Sequence, residues 1–223
     1  MIKTKLYNKI GVKKLKNYKC IIFDLDGTML DTEKMNLIPL QRLIKEELGK
    51  FIEYEDLLKY RAYTGKKTLE LLGFKDIEAS YPKWVRYVNE YEEGAKLYEG
   101  FHQVIRVLDE NNVLCAISSS KMKKQYEIDF LKTGLQNYIK AVVLAEDTQN
   151  HKPHPEPLLK VAEILGVKPK EAIYIGDTYS DYKATKAAGM DFGLAVWGAA
   201  DIEGIEADYI FYEPKDILKL IEE

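Results

Sequence analysis

Five short apolar runs recur along the chain without polar alternation: Cys20–Phe23, Val113–Ile117, Ala141–Leu144, Ala172–Ile175 and Phe192–Val196. Runs of this length, bounded by turn residues, predict strands buried on both faces. Helical spacing lies between them. Phe101, Val104, Ile105 and Leu108 mark one helix; Leu158, Leu159, Ala162 and Leu165 mark another, opened by Pro155 and Pro157 and closed by Gly166. Tyr182, Thr185 and Ala188 share one side of a third, closed by Gly189. Strands alternating with helices imply βαβ units with right-handed crossovers, hence an α/β fold: a Rossmann-like parallel sheet core.

The alternation fails over residues 33–96, where no strand pattern is visible. Leu37, Leu40, Ile44 and Leu48 predict an amphipathic helix, as do Tyr54 to Tyr60, Thr68 to Leu72, and Pro82 to Tyr91. Pro39 predicts a kink or a late start in the first of these, and Pro82 a first helical position in the last. A helical segment inserted after one strand of a parallel sheet predicts a second, α-helical cap domain. The resulting division is a basic arm (1–17), a core (18–32 and 97–223) and a cap (33–96).

Composition is that of an ordinary globular chain of 223 residues, with 46% hydrophobic and 31% charged residues. The longest stretch free of Asp, Glu, Lys and Arg is Asn111 to Ser120, about half of what a membrane-spanning helix needs, so no membrane partner is expected. Charge is uneven. Lys3, Lys5, Lys9, Lys13, Lys14, Lys16 and Lys19 precede any acidic residue, which leaves an acidic body behind a basic arm. Ile10-Gly11-Val12 is too short for a signal-peptide apolar region, and the arm has no arginine of the kind a transit peptide carries. Its plainest reading is a solvated leader on the acidic body rather than a nucleic-acid contact. Cys20 and Cys115 sit inside apolar runs, as buried inert thiols of a reducing, cytoplasmic compartment would.

Parallel sheets gather functional groups at the carboxyl ends of their strands. Those ends read Asp24-Leu25-Asp26-Gly27-Thr28, Ser118-Ser119-Ser120, Lys152-Pro153 and Gly176-Asp177-Thr178-Tyr179-Ser180-Asp181. Asp24, Asp26, Asp177 and Asp181 in one crevice would repel by roughly 4 kcal/mol per pair at 4 Å and an effective dielectric of 20. Oxygen-only ligands with no His or Cys favour Mg²⁺, which often bridges to a substrate phosphate. A lysine and a run of hydroxyls supply donors for phosphate oxygens. Metal-assisted phosphoryl transfer on a small phosphorylated molecule is the reaction class these residues predict.

These four segments, in this order, resemble the haloacid dehalogenase-like superfamily of phosphohydrolases. Phe23-Asp24-Leu25-Asp26-Gly27-Thr28 resembles its D-x-D-G-T signature, and the helical insertion resembles the cap of the phosphoglycolate-phosphatase and β-phosphoglucomutase branch. Asp26 argues against a true dehalogenase. By position, the resemblance implies that Asp24 is the nucleophile and that Asp26 is the acid and base, its main-chain carbonyl also on Mg²⁺. Ser118, with the backbone N–H of Ser119, holds a phosphoryl oxygen, and Lys152 neutralises charge. Asp177 ligates Mg²⁺, while Asp181 is either a ligand or an orienter of Lys152. Ser120 is expected to cap a helix beginning near Lys121, and His151 and His154 to make local bonds. Trp197-Gly198 resembles a pair seen in the phosphatase branch, and Glu99-Gly100 stands where relatives usually carry Pro-Gly. The cap loop Tyr63-Thr64-Gly65-Lys66 is expected to bind the leaving group, with Gly65 permitting close backbone approach. A Mg²⁺-dependent phosphatase acting on a small phosphoglycolate-like ester, as monomer or homodimer, is the expectation. A phosphomutase, a phosphonate hydrolase needing a cap lysine (Lys50, Lys66 or Lys67) and a non-catalytic module are the alternatives.

Overall fold

A computed structural model of the chain describes residues 17–221, and the arm other than Asn17 lies outside them. Strand β1 (Cys20–Phe23) and the short β2 (Leu30–Asp31) precede four helices, α1 (Glu33–Leu48), α2 (Tyr54–Leu57), α3 (Gly65–Leu72) and α4 (Ile77–Asn89). The chain returns through β3 (Lys96–Leu97) into α5 (Phe101–Glu110), β4 (Leu114–Ser118), α6 (Lys123–Asp129) and β5 (Ile139–Val143). It ends through α7 (Glu156–Leu165), β6 (Ala172–Gly176), α8 (Tyr179–Ala188), β7 (Asp191–Ala195) and β8 (Tyr209–Phe211).

Six strands form one parallel sheet in the order β5-β4-β1-β6-β7-β8. In the middle, β1 has Leu114–Ile117 on one side and Ala172–Ile175 on the other. Its apolar run does not alternate because both faces are covered. Ile21 and Phe23 join the cluster that includes Phe101, Val104 and Leu108 of α5; Cys20 and Ile22 join Leu158 and Val161 of α7 and Ala184 of α8. The chain travels from β1 to one flank and then to the other, so the strand order reverses at β1. Such a switch point opens a crevice at the carboxyl ends of the strands, where Asp24 emerges.

The cap leaves and rejoins the core through β2 and β3, which pair antiparallel as Leu30 with Leu97 and Asp31 with Lys96. That short ladder ties the two crossings together, a feature too small to leave a sequence pattern. β8 is too short to leave one for the same reason. Pro82 is not at a first helical position: α4 already begins at Ile77, because Asp76 caps it by accepting from the Ala79 N–H at 3.0 Å. Pro39 does not delay α1 either, which runs across it with Pro39 buried. Ser120 caps no helix. The Lys121 carbonyl accepts from the Ala145 N–H at 3.1 Å, tying that residue to the segment after β5, and α6 starts only after Met122. α7 and α8 stop at Gly166 and Gly189 as expected.

Candidate active site

Lys152 organises the crevice. Its Nζ donates to Asp24 Oδ1 at 2.9 Å, to Asp181 Oδ1 at 2.6 Å and to the Tyr174 hydroxyl at 2.8 Å. An ammonium has three protons, and all three are engaged. Burial alone would lower the lysine pKa, but the Asp181 and Asp24 carboxylates more than offset it, so the group stays charged. Tyr174 is fully buried and donates its own proton to the Ser118 carbonyl at 2.9 Å, joining β6 to the end of β4. Asp181 is also bound on its other oxygen: Thr178, at the N-terminus of α8, donates its backbone N–H at 3.0 Å and its hydroxyl to Oδ2.

Asp177 completes the cluster. Its Oδ1 accepts from Thr28 Oγ1 at 3.2 Å, and the Thr28 carbonyl accepts from the Trp197 indole at 2.9 Å. Two glycines let these loops meet. A Cβ on Gly27 would lie 2.3 Å from Asp177 Oδ2, and one on Gly198 would lie 1.6 Å from the Gly27 carbonyl oxygen, so neither position admits a side chain as packed. Trp197-Gly198 thus supplies packing and close approach.

Asp24, Asp177 and Asp181 each offer an oxygen within 4.8 Å of the others. Burial pushes the Asp24 carboxyl up to about 6; Lys152 pulls against that, and Asp181 and Asp26 add to it. Burial, with Asp181 and Asp24 as neighbours, holds Asp177 well above the usual carboxylate range. A hard divalent cation among these oxygens relieves both costs, and a donor set without nitrogen or sulfur suits Mg²⁺. Asp24 and Asp177 fit as ligands. Asp181 accepts from Lys152 on Oδ1 and from Thr178 on Oδ2, and one of its oxygens also lies within reach of Asp24 and Asp177, so its place is compatible with orienting Lys152 and with ligating a cation. The Asp26 carboxylate, expected among the crowded acids, stands outside this cluster.

A haloacid dehalogenase-like hydrolase family model matches residues 21–195, which contain Asp24, Asp26, Lys152, Asp177 and Asp181. The chain belongs to that family. A phosphoglycolate phosphatase of Aquifex aeolicus is 30% identical over 209 residues, 92% of this chain and 97% of the relative. The pyrophosphatase PpaX of Bacillus cereus is 25% identical over 205 residues, 90% and 95% of the two chains. A subfamily IA hydrolase of this superfamily from Geobacter sulfurreducens superposes with a TM-score of 0.74 at 25% identity, covering 93% and 98%. The chain is accordingly an enzyme of the phosphoric monoester hydrolase class.

A second buried lysine serves the hydrolase's other aspartate. Lys121 Nζ lies 3.0 Å from Asp26 Oδ1 and 2.7 Å from Asp129 Oδ2. Burial opposes its charge, and the two carboxylates outweigh burial and raise its pKa. Ser119 lines the cavity beside it, but the Ser119 backbone N–H donates to the Val143 carbonyl at 3.0 Å. That N–H extends the strand ladder and is not free for a phosphoryl oxygen, contrary to the sequence expectation. Ser118, expected to hold a phosphoryl oxygen, is fully buried at the strand end behind Ser119 and Ser120, which line the cavity where it does not, and its Oγ has no hydrogen-bond partner.

The hydrolase's cap closes over a cavity of about 600 Å³ whose floor includes Asp24, Asp26, Lys121, Lys152 and Asp177. Tyr63, Thr64 and Gly65 line its roof, as expected. Gly65 also makes room for an aromatic side chain of the cap, since a Cβ there would lie 2.5 Å from the Tyr81 ring. Lys66 does not line the cavity. It pairs with Glu78 at 2.7 Å on the exposed side of the cap, because its place in α3 turns it toward α4. Arg61, the first residue of the cap loop Arg61–Lys67 from which substrate choice is expected, lines the cavity where Lys66 does not. It binds Glu33 at 2.7 Å within the cap and donates to the Gly198 carbonyl of the core at 2.8 Å.

Tyr174, Lys121 and Asp129 are functional neighbours that the sequence pattern does not single out. A tyrosine in a strand buried on both faces needs a polar partner, a signal that is present in Ala172–Ile175. Asp129 gives no such signal, since its partner is fixed only by the fold. His154 accepts from the Glu156 N–H at 3.2 Å, a local bond as expected.

Proposed function

We propose that this hydrolase is a Mg²⁺-dependent phosphatase that cleaves a small phosphomonoester of the phosphoglycolate kind through an aspartyl-phosphate on Asp24. The observation that carries the reading is the buried Asp24 carboxylate, held on one oxygen by Lys152, facing the cavity beneath the cap and flanked by Asp177. Asp24 and Asp177, with the main-chain carbonyl of Asp26, would hold Mg²⁺. When bound, that ion neutralises the clustered carboxylates and the charge of the phosphoryl group. Lys152 orients Asp24 through Oδ1 and leaves Oδ2 to attack phosphorus in line. As the bond from phosphorus to the leaving oxygen breaks, Asp26 gives that oxygen a proton and becomes a carboxylate. Asp26 then takes a proton from water, whose oxygen displaces Asp24 from phosphorus and releases inorganic phosphate. Tyr63, Thr64 and Arg61 face the leaving group and exclude bulk water. A cavity of about 600 Å³ is of ordinary size for a small-molecule site.

Phosphate release in Mg²⁺ from phosphoglycolate, pyrophosphate and β-glucose 1-phosphate tests this reading, with glucose 6-phosphate followed in the last case. Phosphoglycolate is expected to lead and sugar interconversion to be negligible. Rapid glucose 6-phosphate formation with little free phosphate would make the enzyme a mutase. A lead for pyrophosphate would give it the specificity that the name PpaX states for the Bacillus relative.

A further inference from the structure

The Lys121 and Asp129 pair has no part in holding the nucleophile, yet it is as buried as the Lys152 cluster and it faces the same cavity. Asp129 is 1% exposed and Lys121 8%. A buried ion pair is often no more stable than apolar packing, so stability alone is a weak reason to keep one at this position. Its geometry offers a better one. Asp26 is half-buried, with 37% of its side chain exposed, but its Oδ1 is entirely covered and has no aligned hydrogen bond; the Lys121 ammonium stands 3.0 Å from it. The exposed part of the carboxyl group is therefore the Oδ2 side.

An ammonium can only donate. An oxygen that faces one cannot itself be the protonated oxygen without setting two donors against each other. With Lys121 against the covered Oδ1, the edge of Asp26 able to hand over a proton is Oδ2, toward the cavity. Asp129 in turn fixes the ammonium, through an aligned bond of 2.7 Å from Lys121 Nζ to its Oδ2.

We propose that Lys121, anchored by Asp129, is a positioning residue that confines the transferable proton of Asp26 to Oδ2 and keeps that oxygen turned to the leaving group. This rests on the proposed role of Asp26 as proton donor. The step it serves is balanced: the Oδ2–H bond breaks as the leaving oxygen gains that proton and loses phosphorus, and Asp26 is left as a carboxylate facing Lys121. The phosphoryl group is on Asp24 at that point, and the proton count is restored when Asp26 takes one from water.

The proposal separates two kinds of substrate. An alkyl phosphate has a poor leaving group and depends on the proton; p-nitrophenyl phosphate leaves as a stable anion and does not. The experiment measures kcat and KM on p-nitrophenyl phosphate and on a simple alkyl monoester at saturating Mg²⁺ for wild type, Asp26→Asn, Lys121→Met and the double variant Lys121→Met/Asp129→Leu. The double variant leaves neither charge buried without a partner, so it guards against a folding defect in the single one; thermal unfolding is measured on each. Both esters give the same aspartyl-phosphate, whose hydrolysis also uses Asp26, so the comparison is made on kcat/KM, which covers the steps up to loss of the alcohol. Asp26→Asn should lose about 100-fold or more in kcat/KM on the alkyl ester and far less on the aryl ester. Both Lys121 variants should lose about tenfold or more in kcat/KM on the alkyl ester and less than about threefold on the aryl ester, with little change in KM on either. Equal losses on both substrates, or a loss confined to KM, would overturn the positioning role while leaving the Asp26 result standing. An Asp26→Asn variant that loses equally in kcat/KM on both substrates would instead bring down the proton-donor reading itself.

Discussion

Two buried lysines stand at the same edge of the sheet and hold their aspartates differently. Lys152 spends all three protons on Asp24, Asp181 and Tyr174, and Asp181 is bound again by Thr178. Asp24 follows a strand end, Asp181 lies in the first turn of α8 and Tyr174 lies within β6, so the nucleophile sits in a closed network with little freedom. Lys121 makes one aligned bond, to Asp129, and its second carboxylate, Asp26, is partly open to the cavity. A nucleophile has to be in one place, whereas a group that gives a proton and later takes one needs a fixed edge and a free edge. The contrast between the clusters matches that difference in task.

Removing the nucleophile is the strongest test of the contrast. Asp24→Asn keeps the shape and the Lys152 contact but loses the attacking anion, and kcat should fall by about 10³-fold or more. That loss should be the same for alkyl and aryl esters, because neither reaches the intermediate without Asp24. Steady-state rates on both substrates settle it. Activity within tenfold of wild type would remove the covalent step, and a loss restricted to alkyl esters would make Asp24, rather than Asp26, the proton donor.

The closed cluster should also respond to pH and metal together. Asp24 is raised to about 6, above an unfolded value of about 3.9. A carboxyl group raised on folding adds its full stability below the unfolded value, and that share drains away as pH climbs through about 6. Asp177 is raised as well and shifts stability in the same direction. Metal-stripped protein should therefore become less stable between pH 5 and pH 7.5. Mg²⁺ competes with protons for the same oxygens, so the rise in Tm it produces should be about twofold larger or more at pH 7.5 than at pH 5. Thermal unfolding with chelator and with Mg²⁺ at both values measures this. An equal rise at both would place the ion away from these two carboxylates.

The two clusters also differ in how much of each is legible in the sequence. Asp24, Lys152, Asp177 and Asp181 follow strands whose apolar runs announce them, and parallel topology then brings their ends together whatever the helices do. The Lys121 cluster is made differently. Lys121 follows three serines that suggest a helix cap, and what removes it from that helix is the bond between its own carbonyl and Ala145, a pairing between two loops. Asp129 becomes its partner only once α6 is folded back. Within the cap, α1 and α4 are legible by periodicity, but the direction of Lys66 is not, because one residue of rotation along α3 separates the cavity from solvent. The layered core follows from local pattern, and side-chain direction follows from packing that no local pattern records.

Arg61 and Lys66 extend the comparison to the cap with the smallest effects. Lys66 forms an exposed pair with Glu78, and such pairs are worth about 0–1 kcal/mol, so Lys66→Ala should leave kcat, KM and the order of preferred substrates unchanged. Arg61 differs because it spans two bodies. One edge of its guanidinium meets Glu33, which also accepts from the Tyr54 hydroxyl at 2.7 Å, and another meets the Gly198 carbonyl in the core. Arg61→Lys cannot satisfy both with a single ammonium on a flexible stem. The cap loop should then close less firmly over the leaving group, raising KM by several-fold, on the scale of about 1 kcal/mol for one hydrogen bond, with a smaller change in kcat. Kinetics on phosphoglycolate and p-nitrophenyl phosphate for both variants provide the check. A KM shift for Lys66→Ala as large as that for Arg61→Lys would return Lys66 to the substrate side of the cap and turn α3 by about one residue from the position described.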